Sequence, residues 1–232
     1  MKRQFEVIAF DADDTLWVNE PYFRETERAF SHLLSPFMEP ELVRRILFRT
    51  EVKNLPLYGY GIKAFVLSMM ETALEIGGDK LPPQTIRKIV ALGREQLNKD
   101  VVLLDGVGNV LQSLHQKGQK MVVVTKGDLL DQESKLARSG LFPFFHHVEV
   151  VSEKHELNYI QLLKTLDVQP ENFLMVGNSV KSDILPVLNI GGYAVYVPFH
   201  ETWEYEQTDI KIENPRFQEF KEISEIISWL EL

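Results

Sequence analysis

Three carboxylates, Asp11, Asp13 and Asp14, fall within four residues of the segment FDADDTLW (10–17), directly after the apolar run FEVIAF (5–10). Carboxylates this close repel one another and resist leaving water. The cluster therefore costs stability unless a cation or specific hydrogen bonds occupy it. Other reactive side chains also follow apolar runs. Thr125, Lys126 and Gly127 stand at the end of KMVVVT (120–125), Lys154 follows HVEVVS (147–152), and Gly177, Asn178, Ser179 and Asp183 close or follow NFLMVGN (172–178).

Hydroxyl, lysine and carboxylates in these places make a coherent chemical set. A carboxylate can act as a nucleophile toward phosphorus, and a second one can carry a proton. Magnesium takes hard oxygen ligands, few of them protein carboxylates, which Asp11 and Asp183 can supply. A threonine hydroxyl with the following backbone N–H groups can hold phosphate oxygens, and a lysine can neutralise charge that builds in a transition state. Thr125, the amides of Lys126 and Gly127, and Lys154 suit those tasks. Asp14 reads as a turn residue, and His146 and His147 as structural or solvated, since no metal spacing surrounds them.

For these residues to meet, the elements carrying them must be parallel strands, because ligands bind beyond the carboxyl ends of such strands. The runs at 5–10, 120–125, 147–152, 172–178 and 191–198 are continuously apolar, as strands covered on both faces are. Helical patterns separate the later ones, at 106–117, 128–139, 155–167 and 181–190, three of them closed by glycine. Between the first and second strands lie further helical stretches, starting near Pro21, around Leu42, Ile46 and Leu47, over 60–76, and from Pro82 and Pro83. The fold class expected is α/β: a Rossmann-like parallel-sheet core in three layers, formed by 1–17 and 100–232, with an all-helical insertion at 18–99. An irregular polar segment at 199–217 precedes an expected amphipathic helix over 218–231 that carries Phe220, Ile223, Ile226, Ile227 and Leu230.

Composition sets outer limits. The chain of 232 residues is long enough for one large domain or a core with an insertion. Its net charge of −9 disfavours a general role on nucleic acid or an anionic membrane, so any phosphate must be held locally. Cysteine is absent, which excludes disulfides, thiolate zinc sites and a cysteine nucleophile. The opening MKRQFEVIAFDADD has too short an apolar run for a signal peptide, and a cytoplasmic protein, monomeric or homodimeric, is expected.

The motifs together resemble those of the haloacid dehalogenase superfamily of aspartate-nucleophile hydrolases. DxDxT is matched by Asp11, Asp13 and Thr15, the strand-ending hydroxyl by Thr125, the lysine by Lys154, and GDSxxxD by GNSVKSD with Gly177, Ser179 and Asp183 kept. The insertion resembles that superfamily's helical cap. The resemblance implies a magnesium-dependent phosphatase acting on a small phosphorylated metabolite through an aspartyl-phosphate, with Asp11 as nucleophile and Asp13 as acid and then base. It implies a substrate site of Thr125, Lys126, Gly127 and Lys154, and a metal site of Asp11, Asp13 through its backbone carbonyl, Asp183 and Asn178. Two positions depart from the pattern: Lys126 stands where Asn is common, and Asn178 where a carboxylate is. The competing readings are a sugar phosphomutase of the same superfamily and a binding scaffold weakened by Asn178.

Overall fold

The computed structural model describes residues 4–230, so the extreme ends of the expected core segment, 1–3 and 231–232, lie outside it. Two compact units are present. One comprises the chain up to Val18, Val101–Lys126 and the residues from Gln132 onward; the other comprises Asn19–Asp100 together with Gly127–Asp131.

The first unit is built on a six-stranded sheet in the order β3-β2-β1-β4-β5-β6, every pairing parallel. Its strands are β1 (Val7–Phe10), β2 (Lys120–Lys126), β3 (His147–Val151), β4 (Phe173–Gly177), β5 (Tyr193–Tyr196) and β6 (Phe217–Glu219). Side chains alternate between the two faces with a period of two. Ile8, Phe10, Met121, Val123, Leu174 and Val176 point to one side, where they pack with Val110, Leu111 and Leu114 of α5 (Val107–Gln116), Leu136 of α6 (Leu129–Arg138) and Ile226 of α9 (Glu225–Trp229). Val7, Ala9, Val122, Val124, Phe173 and Met175 point to the other, against Tyr159, Leu162 and Leu163 of α7 (Glu156–Leu166) and Val187 of α8 (Leu185–Asn189). All four residues of β1 are fully buried. Full burial of an aliphatic side chain stabilises by about 1.5–3 kcal/mol, so this strand is the anchor of the unit.

Because β2 and β3 lie on one side of β1 and β4, β5 and β6 on the other, the connections diverge at the carboxyl end of β1. That divergence is where a parallel sheet opens a crevice for ligands. It falls on Asp11.

The helical unit contains α1 (Glu20–Leu33), α2 (Pro40–Tyr58), α3 (Ile62–Gly77) and α4 (Pro83–Leu97). Proline stands in the first turn of α1, α2 and α4, where its missing N–H has no partner to lose. Phe30, Leu34, Val43, Leu47, Phe65, Met69 and Ile89 form its own buried core. In the stretch that joins this unit from beyond β2, Asp128 accepts from Lys63 at 2.9 Å.

The carboxyl-terminal expectation needs correction. Instead of one helix over 218–231, the chain forms edge strand β6 and then the short α9. Backbone pairing explains the change: Ala194 donates to the Arg216 carbonyl and Phe220 to that of Tyr196, so the segment completes the sheet before it coils. Its apolar residues still face inward, with Ile223, Ile226 and Leu230 buried in the core. A second difference lies at 181–190, where Val180–Ile184 forms one wide π turn before α8. Such turns are uncommon and often mark functional sites.

Candidate active site

The strand ends deliver Asp11, Thr125, Lys154, Asn178 and Asp183 to the same edge of the sheet. Asp11 follows β1 and donates its backbone N–H to the Val176 carbonyl at 2.9 Å, which extends the ladder by one residue and fixes the side chain at its root. Its carboxylate accepts from Lys154 Nζ, and its Oδ2 also accepts from Thr15 Oγ1 at 3.0 Å. The Thr15 hydroxyl lies 3.2 Å from Asn178 Oδ1 as well, so Asp11 and Asn178 face one hydroxyl. Lys154 reaches a second acid, Asp183 Oδ1, at 2.7 Å.

Burial sets the electrostatics. Burial pushes Asp11 up to about 7; Lys154 opposes the rise, and the neighbouring Asp183 and Asp13 charges add to it. Lys154 experiences the converse. Burial disfavours its charge, but Asp11 and Asp183 outweigh that and hold it above the ordinary lysine range. One buried cation therefore bridges two acids.

Asp183 is held from both sides, since its Oδ2 accepts the Ser179 N–H at 3.0 Å. This contact depends on glycine. A Cβ at Gly177 would lie 2.3 Å from Asp183 Oδ2, so any larger residue there displaces the carboxylate. The retained glycine of the GNSVKSD segment thus has a steric reason.

Asp13 is placed differently. It accepts from Trp17 Nε1 and Lys135 Nζ at 2.7 Å on one oxygen, and from Gln132 Nε2 at 2.8 Å on the other. Asp14 adopts φ 61° and donates its N–H to the Trp17 carbonyl at 2.7 Å, the turn role expected of it, which brings the indole back to Asp13. Gln132 and Lys135 carry no signal in the sequence that marks them, although they lie three residues apart on α6 and so share a face.

Thr125 is buried at the end of β2 with its hydroxyl on the Lys126 carbonyl at 3.3 Å. The Lys126 ammonium is committed elsewhere, to Glu206 at 2.6 Å and Ser182 Oγ at 2.9 Å. Glu206 comes from the irregular segment after β5 and was also missed. Gly127, φ 128°, begins the stretch grouped with the helical unit. His147 pairs with Glu149 at 2.7 Å, and His146 Nδ1 accepts the Met121 N–H at 3.3 Å.

The donor set fits a hard divalent cation. Asp11 Oδ2 and Asn178 Oδ1 share the Thr15 hydroxyl, and Asp183 Oδ1 shares the Lys154 ammonium with Asp11. Among the described residues no three His, Cys, Asp or Glu side chains converge as a metal cluster. A site with so few acids suits an ion that keeps several waters, as magnesium does.

A profile of the haloacid dehalogenase-like hydrolases matches residues 5–191. The chain belongs to this family. Within it, a haloacid dehalogenase-like hydrolase from Xanthomonas campestris is 35% identical, with a TM-score of 0.86 over 97% of this chain and 91% of that one. A glyceraldehyde 3-phosphate phosphatase of Methanopyrus kandleri is 25% identical over 91% of this chain and 94% of its own length. An L-2-haloacid dehalogenase from Xanthobacter autotrophicus shares the fold at 18% identity and a TM-score of 0.60, over 84% of this chain and 78% of its own. As a haloacid dehalogenase-like hydrolase, the chain is an enzyme whose family fold is the α/β sheet described above.

Proposed function

We propose that the protein is a magnesium-dependent phosphatase acting on a small phosphorylated metabolite, with Asp11 as the nucleophile. The observation that carries this reading is the pairing of a buried Asp11 with Lys154 at the divergence point of the sheet, while Asp13, two residues on, is held by separate donors. The glyceraldehyde 3-phosphate phosphatases among its relatives support a short phosphorylated substrate.

In this reading an Asp11 oxygen forms a bond to phosphorus as the bond from phosphorus to the leaving oxygen breaks, and Asp13 gives that oxygen its proton. Water then attacks the phosphorus of the aspartyl-phosphate. Its proton passes to Asp13, and the bond between Asp11 and phosphorus breaks, which releases inorganic phosphate and restores both acids. Lys154, the Thr125 hydroxyl and the Lys126 and Gly127 amides hold the phosphoryl oxygens. Asp11, Asn178, Asp183 and the Asp13 carbonyl would hold magnesium, with Asp183 also positioning Lys154 beside them; when bound, the ion supplies charge neutralisation on the phosphoryl group. The helical unit, inserted in sequence between the first two strands, is read as the cap that selects the substrate. A cytoplasmic site of action belongs to the same reading; no described helix is long and apolar enough to cross a membrane.

The test is release of phosphate from p-nitrophenyl phosphate and from a panel including glyceraldehyde 3-phosphate, with magnesium chloride. Turnover by the wild type that Asp11→Asn abolishes is expected. A folded wild type inert across the panel would overturn the assignment.

A further inference from the structure

Lys126 directly follows the strand-ending Thr125, a place from which a lysine charge could meet the substrate phosphate. Its surroundings argue otherwise. The ammonium sits 2.6 Å from Glu206 and 2.9 Å from Ser182 Oγ, and the lysine and glutamate side chains are 13% and 12% exposed. Glu206 Oε2 in turn accepts from Ser179 Oγ at 2.6 Å and Ser182 Oγ at 2.7 Å, and Ser179 Oγ accepts the Ser182 N–H at 3.0 Å. Every polar atom named in this network has a partner, which is the condition under which a buried polar network is stable. Burial opposes the charge on Glu206, yet Lys126 and the two serine hydroxyls more than offset it and hold the carboxyl below its usual range.

Resting on the phosphatase reading, we infer that Glu206 is a positioning residue that keeps the Lys126 ammonium on the Ser179–Ser182 turn and away from the phosphoryl oxygens. Charge explains the use of such a device. Near the nucleophile, Asn178 is neutral where the family pattern carries an acid, and Lys126 is cationic where it carries a neutral residue. Both changes shift the local balance toward positive. Left free, Lys126 would hold the phosphate product, since opposite charges attract more strongly near a protein surface than in bulk water. Glu206 cancels that attraction with an acid contributed from outside the four motifs.

The experiment is calorimetric titration of inorganic phosphate, in magnesium chloride, into the wild type, Glu206→Gln and the double variant Lys126→Met/Glu206→Gln. Glu206→Gln releases the lysine charge and is expected to bind phosphate about 5–10-fold more tightly, whereas a merely structural role predicts weaker binding. The double variant is expected within about twofold of the wild type. Equal or weaker binding by a folded Glu206→Gln overturns the proposal. Should that single variant not fold, a tenfold loss in the double variant overturns it instead, because Lys126 would then be a phosphate ligand. Absence of phosphate binding in every folded variant, wild type included, overturns the phosphatase reading itself and this proposal with it.

Discussion

Lys154 donates to Asp183 Oδ1 at 2.7 Å, on two side chains that are 2% and 1% exposed. Buried ion pairs give little net stability when compared with apolar substitutes, but removing one partner alone leaves a charge with no compensation. Lys154→Met strands two acids at once, Asp11 and Asp183. Urea unfolding at pH 8 should show a loss of about 3–5 kcal/mol, together with loss of phosphate release. An unchanged midpoint would mean that the two acids find other partners.

The donors around Asp13 act through that residue. Trp17→Phe keeps the buried ring and removes the N–H; Lys135→Met removes the cation. Each is expected to lower kcat by about 10–100-fold with KM changed less than about twofold, in line with the size of general acid and base effects. Lys135→Arg should recover part of the loss. Parallel changes in KM would point to substrate contact instead.

Asn178→Asp restores a carboxylate beside Asp11. Ligand charge tunes the affinity of oxygen sites for hard cations, so the magnesium concentration giving half-maximal activity should fall by about 3–10-fold. No change would remove Asn178 from the ligand set.

The helical unit has its own pH dependence. Burial pushes the pKa of Glu51 from 4.5 to about 8, with Glu27 and Glu20 adding to the rise and Arg24 opposing it. The folded state therefore keeps a proton that the unfolded state gives up, so this residue's contribution is fully present below pH 4.5 and is lost as pH rises through 8. Glu51→Gln should match the wild type at pH 4 and exceed it by about 1–3 kcal/mol at pH 9 in chemical unfolding. A constant difference across that range would remove Glu51 as the titrating group.

Much of this site is legible in sequence because its residues are tied to strand ends. Continuous apolar runs mark β1, β2, β3 and β4, and the residue after such a run lies at the sheet edge whatever the helices between them do. The contacts of Asp13 are less visible. Gln132 and Lys135 project from a helix whose apolar pattern only reports packing, and nothing local shows which strand end its polar face meets. Glu206 is harder still, since it lies in a segment without periodicity, and its role depends on a register set by β5 and β6. The three-residue β6 straddles the boundary between the irregular segment ending at 217 and the helix expected from 218, and its main-chain pairing leaves no trace in residue type.

The placement of β1 at the middle of the sheet also bears on the order of assembly. Its partners β2 and β4 begin at Lys120 and Phe173, more than a hundred residues after Val7, whereas α1 to α4 form their core from near neighbours in the chain. Distant pairings form slowly and local ones fast. As the chain leaves the ribosome, Asp11 emerges ahead of the helical unit and before either strand that flanks β1 exists. The cluster around Asp11 is thus complete only once the segment bearing Asn178 and Asp183 has been made.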